Sequence, residues 1–426
     1  MPPIQDHPLR YDLANELHAR PFPAMQSPST VVYLAVKQPK EAVHRDRALD
    51  LAHLKRLLDR HGAPHPQPGA THHSAQLGRH TLKWEQHTEF VSYTLYGDGV
   101  SKRAFDPADF DVFPSDWLAA APGQRITSLM IRVLPRPEGK RIHTALNDWF
   151  VPESLAVAEV LEDSAVVAGD FRIDPAGHMR FALFANAATG SQRIGRLVQR
   201  ICEIETYRAM SMLGFSRARG LSQDIGTLDT QLSEMMAEMT SDTLPAEQTL
   251  TQLLQVSAQL EAMAAQSAFR FGATGAYEAL VNQRISLLRE TRHGGFQMFA
   301  EFMLRRYEPA MRTVKSTEQR IGTLADRARR GGALLRTRVD VERSAQNQAL
   351  LASMDRRADQ ALRLQHTVEG LSVVAISYYA VSLVSYLLYP LAQALGQSKG
   401  MMTAVITLPV VALVWLAIQR VKRKLH

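Results

Sequence analysis

A single cysteine, Cys202, stands in 426 residues. No disulfide framework can form within one chain, and a reducing compartment is expected. In a helical setting the lone thiol reads as a small packing group rather than a nucleophile. The opening residues, Met1-Pro2-Pro3-Ile4-Gln5-Asp6-His7, lack a basic start and an apolar run, which argues against a secretion signal and for a cytoplasmic N-terminus. Phosphate-binding glycine loops, nucleophile elbows, HExxH and paired CxxC motifs are all missing. The sequence therefore gives no positive case for an enzyme, a cofactor or a metal site. Apolar residues are not scarce. Hydrophobic residues make up 46% and charged residues 21%, enough to exclude wholesale disorder and to fill two or three domains.

Charge is missing from two stretches near the C-terminus. Leu371 to Leu391 holds 21 uncharged residues. At 1.5 Å per residue that run reaches roughly 31 Å, the thickness of a hydrocarbon core. Met401 to Ile418 is a second such run, and the connector Ala392 to Gly400 is short enough to force a hairpin. Arg356, Arg357 and Arg363 precede the first run, and Arg420, Lys422, Arg423 and Lys424 follow the second, whereas the connector carries only Lys399. The positive-inside rule then puts both termini in the cytoplasm and the connector outside.

The first run is richer in hydroxyls than an anchor needs. At 100° per residue, Ser372, Tyr378, Tyr379, Ser382, Ser385, Tyr386 and Tyr389 share an arc of about 140°. Val373, Ser377, Val381, Val384 and Leu388 lie opposite. Hydroxyls are poorly served by lipid, so the arc is expected to face protein or water. Two readings stay open: a permeation path lined by Ser372, Tyr379, Ser382 and Tyr386, or helix–helix contact with the second span or a sister subunit.

The preceding chain reads as an α+β domain built on a mixed sheet, residues 1–190. Expected strands are Thr30–Lys37, Ala75–Gln86 and Thr88–Tyr96 as a hairpin, Arg125–Leu134, Ala156–Leu161, Ala165–Ile173 and Met179–Phe184, with an amphipathic helix over Ala42–His61. Residues 191–308 turn helical, with a break at Pro245. Residues 309–370 read as a long basic stalk helix of coiled-coil character, 371–418 as the transmembrane hairpin, and 419–426 as a basic tail. No proline falls between Pro309 and Pro390, so one helix of roughly 120 Å is expected, with Gly331-Gly332 its weak point. From Arg305 to Arg363 there are 13 Arg and one Lys against seven acids. Acids are interspersed and aromatics nearly absent, so this charge fits the approach to an anionic leaflet better than nucleic acid.

Two polar clusters remain. His53, His61, His65, His72, His73, His80 and His87 crowd one region, but without metal-ligand spacing they read as a solvated loop. Asp6-His7-Pro8-Leu9-Arg10 with Glu16-Leu17-His18-Ala19-Arg20 could grip an anionic ligand through Arg10, His18 and Arg20, or be a terminal arm docked by salt bridges.

The segments DHPLRYDLANELHARPFP at 6–23, EIETYRAM at 203–210 and LLRTRVDVERSAQNQALLASMDRRADQALRLQHTVEGLSVVAISYY at 334–379 resemble a family of uncharacterised bacterial membrane-anchored proteins, classed as a domain of unknown function. That resemblance covers essentially the full chain and implies a membrane location without naming an activity. The architecture is also similar to CorA-type magnesium transporters, pentamers whose first spans line the pore and whose connector carries a Gly-Met-Asn motif. The nearest match here, Gly400-Met401-Met402, lacks the Asn and opens the second span. The likeness implies a homo-oligomer, five copies by analogy, in the bacterial inner membrane, conducting a cation with divalent ions as candidates. A membrane-anchored scaffold or ligand-binding protein without transport is the competing expectation.

Overall fold

The computed structural model describes residues 4–11, 13–14, 22–39, 45–138, 141–241, 245–394 and 398–425. It is an α+β structure, mostly helical by residue, around one nine-stranded mixed sheet. The strands are β1 Ser29–Lys37, β2 His72–Leu77, β3 His80–Gln86, β4 Val91–Asp98, β5 Gln124–Pro135, β6 Ala156–Val160, β7 Ala165–Ile173, β8 Met179–Ala185 and β9 Thr291–Arg292. Their spatial order is β2-β3-β4-β1-β5-β8-β7-β6-β9; among the described strands β5 and β8 alone pair with each other in parallel, and an isolated parallel bridge joins Ala156 to Gln297.

Strand periodicity assigns the two faces. Val32, Leu34 and Val36 of β1 join Leu82, Trp84, Tyr93 and Leu95 in a core covered by α1 (Arg47–Arg60) and α2 (Ser115–Ala119). Further along the same face, Met130, Val166, Ala168, Ala182 and Phe184 pack under α3 (Arg141–Trp149). The opposite face meets α4 (Ser191–Ser241): the Tyr33 hydroxyl lies 2.7 Å from Thr206 Oγ1, and Arg208 reaches Met179 Sδ. α1 begins where Asp46 accepts from the Ala48 amide, a side-chain N-cap, and buries Leu54, Leu57 and Leu58.

After Pro245, α5 (Ala246–Ser286) follows α4. A turn at Phe299–Phe302 and a π-turn at Met303–Tyr307 lead into α6 (Glu308–Ala394, 87 residues), and α7 (Lys399–Leu425) ends the described chain. Two compact units emerge: residues 1–242 with 251–331, and residues 243–250 with 332–426. Both α6 and α7 contain a stretch long and apolar enough to cross a membrane.

Several expectations shift. The run Ala75–Gln86 is itself a hairpin, because Gly78 takes φ +59 and reverses the chain between β2 and β3. The helix expected from Ala42 starts at Arg47, and residues 40–44 lie outside the described set. Pro309 falls in the first turn of α6, as expected, with the π-turn leading directly into it. Gly331-Gly332 does not break α6. Gly331 is instead a close-packing position, where an added Cβ would fall 1.9 Å from Met236 Cε.

Candidate functional site

Within the C-terminal unit, α6 and α7 form an antiparallel hairpin. Lys399 Nζ, at the start of α7, sits 5.8 and 5.7 Å from the ring centroids of Tyr386 and Tyr389. At the other end Ile418 joins Leu364, Val368, Ser372 and Ile376 around an apolar groove of about 620 Å³. The covered stripe of α6 is Val373, Ser377, Val381, Val384 and Leu388, with Ser377 and Val381 buried. On α7 the matching half-buried stripe is Thr403, Ile406, Thr407, Val410, Val414 and Ile418. Spacings of three and four residues keep each stripe on one side of its helix.

Only part of the hydroxyl arc of α6 is turned away from the second helix: Tyr378 and Tyr379 are exposed, whereas Tyr386 and Tyr389 meet Lys399 and Ser372 shares the groove with Ile418. Tyr379 is 67% exposed and Tyr386 74%, Ser372 is exposed, and Ser382 is half-buried. Ser372 satisfies its hydroxyl locally by donating to the Val368 carbonyl at 2.8 Å, as Thr403 and Thr407 do to Lys399 and Thr403. Ser377 and Ser385 leave buried hydroxyl oxygens without a partner. Of the connector candidates, Gly400, Met401 and Met402 lie in the first turn of α7, where the Met401 amide donates to the Ser398 carbonyl at 3.1 Å. Lys399 was not a candidate from sequence. Its position over two tyrosine rings needed the hairpin pairing.

In the sheet unit, a polar cleft of about 500 Å³ is lined by Arg79, His80, Asp98, Ser101, Asp109 and Asp111, with Gly97 and Gly99 at its floor. Gly97 admits the His80 ring, since a Cβ there would stand 2.7 Å from His80 Cδ2. Burial, ahead of the charge of Arg79, lowers the His80 pKa and favours the neutral imidazole. The lining comes from four separate chain segments, so no local motif could announce it.

The remaining histidines divide. His53 belongs to the core, stacked on Trp117 at 3.9 Å. Its Nε2–H donates to the Trp117 carbonyl at 2.9 Å while Nδ1 accepts from the Tyr93 hydroxyl at 3.0 Å, which fixes the neutral tautomer. Burial lowers its pKa accordingly. His65 and His73 meet Asp59 and the Pro64 carbonyl. Among the described residues no group of three or more His, Cys, Asp or Glu is placed to hold a metal ion. Cys202, on α4, is buried, and burial raises its pKa, so it stays a thiol. In the 203–210 motif, Glu203 pairs with Arg284 of α5, while Glu205, fully buried, pairs within α4 with Arg208 at 2.8 Å and accepts from the Thr127 hydroxyl of β5 at 3.4 Å.

At the N-terminus, Arg10 is exposed and paired with Asp6. His18 and Arg20 lie outside the described residues. Met25 anchors this end, its amide donating to the Ser191 carbonyl at 3.1 Å, and Arg196 stacks over the Phe22 ring.

A family profile described as "Protein of unknown function (DUF3422)" matches residues 5–425. No curated protein matches the chain.

Proposed function

We propose that this chain, which belongs to that family of unknown function over nearly its whole length, is a homo-oligomeric inner-membrane protein that conducts cations along α6. It crosses the bilayer twice, with both termini in the cytoplasm. Length, absence of charge and flanking arginines support the two crossings. The observation that carries the reading is the orientation of the hydroxyl arc. The second span covers the apolar side of α6, leaving Tyr379 and the exposed parts of Ser372, Ser382 and Tyr386, which lie at the edge of the helix contact, to face lipid or another copy. Hydroxyls fare better against protein or water than against lipid, so another copy is favoured.

In a ring of copies these side chains would line a shared path. Oxygen groups suit hard cations, and the order of sheet domain, long helix and hairpin accords with the CorA-type likeness. Lys399 qualifies the cargo. One positive charge per copy at the outer end would repel divalent ions twice as strongly as monovalent ones. Monovalent cations are therefore favoured over magnesium, consistent with the missing Asn beside Gly400.

Reconstitution of the pure protein into vesicles tests this, with fluxes of Mg²⁺, Co²⁺, Ni²⁺, Zn²⁺ and monovalent ions recorded. Ser382→Leu is expected to change the flux without altering insertion, and absence of flux for every ion overturns the reading. The polar cleft favours a second reading, a membrane-anchored ligand-binding scaffold. That reading predicts full phenotype after both spans are exchanged for an unrelated hairpin.

A further inference from the structure

Arg45 immediately precedes α1, and its side chain is 2% exposed. Nη2 donates to the His87 carbonyl at 2.7 Å and lies 3.2 Å from Asp50 Oδ2. Nε and Nη1 are buried without any partner. Three of the five guanidinium N–H bonds therefore have no acceptor. Among the described residues, no other buried arginine leaves two nitrogens in this state.

The acids nearby are already engaged. Asp50 also accepts from Gln86 Nε2 at 3.3 Å, and Glu89, 2% exposed, is held by both terminal nitrogens of Arg270 and by Tyr277. Lys37, at the end of β1, donates to the Gln38 carbonyl at 3.0 Å. Among the described residues, four cations (Lys37, Arg45, Arg47, Arg270) thus face three carboxylates (Asp46, Asp50, Glu89), with Arg47 and Asp46 at the rim. Burial first, and then the charge of Arg270, lowers the Lys37 pKa, while burial lowers that of Arg45 and raises that of Asp50. A buried cation with spare donors and too few anions is short of an acceptor, and a planar fork of N–H groups matches the oxygens of phosphate.

We propose that this cluster binds an oxyanion of the phosphate class, free or carried on a nucleotide, with Arg45 Nε and Nη1 as donors and Lys37 as the second charge. The site is independent of any transport through α6.

Isothermal titration of inorganic phosphate, and separately of ATP, into the detergent-purified full chain tests it at fixed ionic strength. Saturable binding of one equivalent is expected, weakened at least tenfold in Arg45→Gln. Binding of phosphate assigns the free ion, and binding of ATP alone assigns the nucleotide. No saturable binding of either, or equal affinity in Arg45→Gln, overturns the proposal. Should Arg45→Gln lose its cooperative unfolding transition, Lys37→Met replaces it, and an affinity within twofold of the parent then overturns the assignment.

Discussion

The sheet unit and the C-terminal hairpin use apolar residues in opposite ways. In the sheet unit Trp84, Tyr93, Leu54 and Leu57 are removed from solvent entirely, and polar groups such as His53 and Glu205 are buried with partners. In the hairpin the large apolar side chains point outward: Leu387 is 81% exposed and Leu408 79%. The first arrangement is stable in water because burial supplies the driving force. The second leaves a continuous apolar surface that only lipid or protein could cover.

This contrast can be broken at single positions. The largest effect is expected from Trp84→Ala, which opens a cavity in the sheet core and should cost about 3–5 kcal/mol, read from chemical unfolding of the detergent-solubilised chain. Next is Leu383→Arg, near the middle of the first apolar stretch and exposed. A charge there should cost about 2.5–3.5 kcal/mol of membrane insertion, measured as loss of the protein from the membrane fraction. Ile173, equally exposed at the end of β7, gives the matched control. Ile173→Arg should change stability by no more than about 0.5 kcal/mol and leave membrane recovery unchanged.

Glu290 sharpens the same comparison through pH. Its carboxyl caps the turn at Phe299–Phe302, accepting from the Ala300 amide at 3.0 Å, while its other oxygen is buried without a partner. Burial pushes its pKa up to about 7 from 4.5. The folded state therefore holds this proton more tightly than the unfolded chain does. The contribution is fully present below about pH 4.5, falls as pH rises towards 7, and is absent above it. Glu290→Gln should be indistinguishable from the parent near pH 4.5 and more stable by about 2–3 kcal/mol at pH 8, read from unfolding midpoints across that range. A pH-independent difference would remove burial as the cause. The smallest effect is expected at Lys399: under the proposed conduction, Lys399→Gln should raise cation flux in vesicles by a few-fold.

Much of this division was legible in the sequence. The apolar runs and the division of α6 into a hydroxyl arc and an opposite apolar stripe follow from helical period alone, but which of the two meets α7 stayed open, because a hydroxyl arc packs on a neighbouring helix as readily as it faces another copy. Strands β1 and β5 to β8 were marked by β-branched runs between turn residues. β2 escaped because His72-His73-Ser74 is polar and only Ala75 and Leu77 alternate inward. β9, two residues long, has no pattern to read, and α3 rests on just two buried positions, Ile142 and Leu146. The parallel β5–β8 pair, the polar cleft and the Arg45 cluster join residues distant along the chain, so no window of local sequence contains them.

Topology of the hairpin is the most direct test. With Cys202 replaced by alanine, the chain has no other thiol, and single cysteines can be placed at Ser398 and at Gln419. A membrane-impermeant maleimide added to intact cells should label Ser398→Cys and should reach Gln419→Cys only after the membrane is opened. Equal labelling of both sites in intact cells, or recovery of the chain in the aqueous fraction after lysis without detergent, would contradict the account.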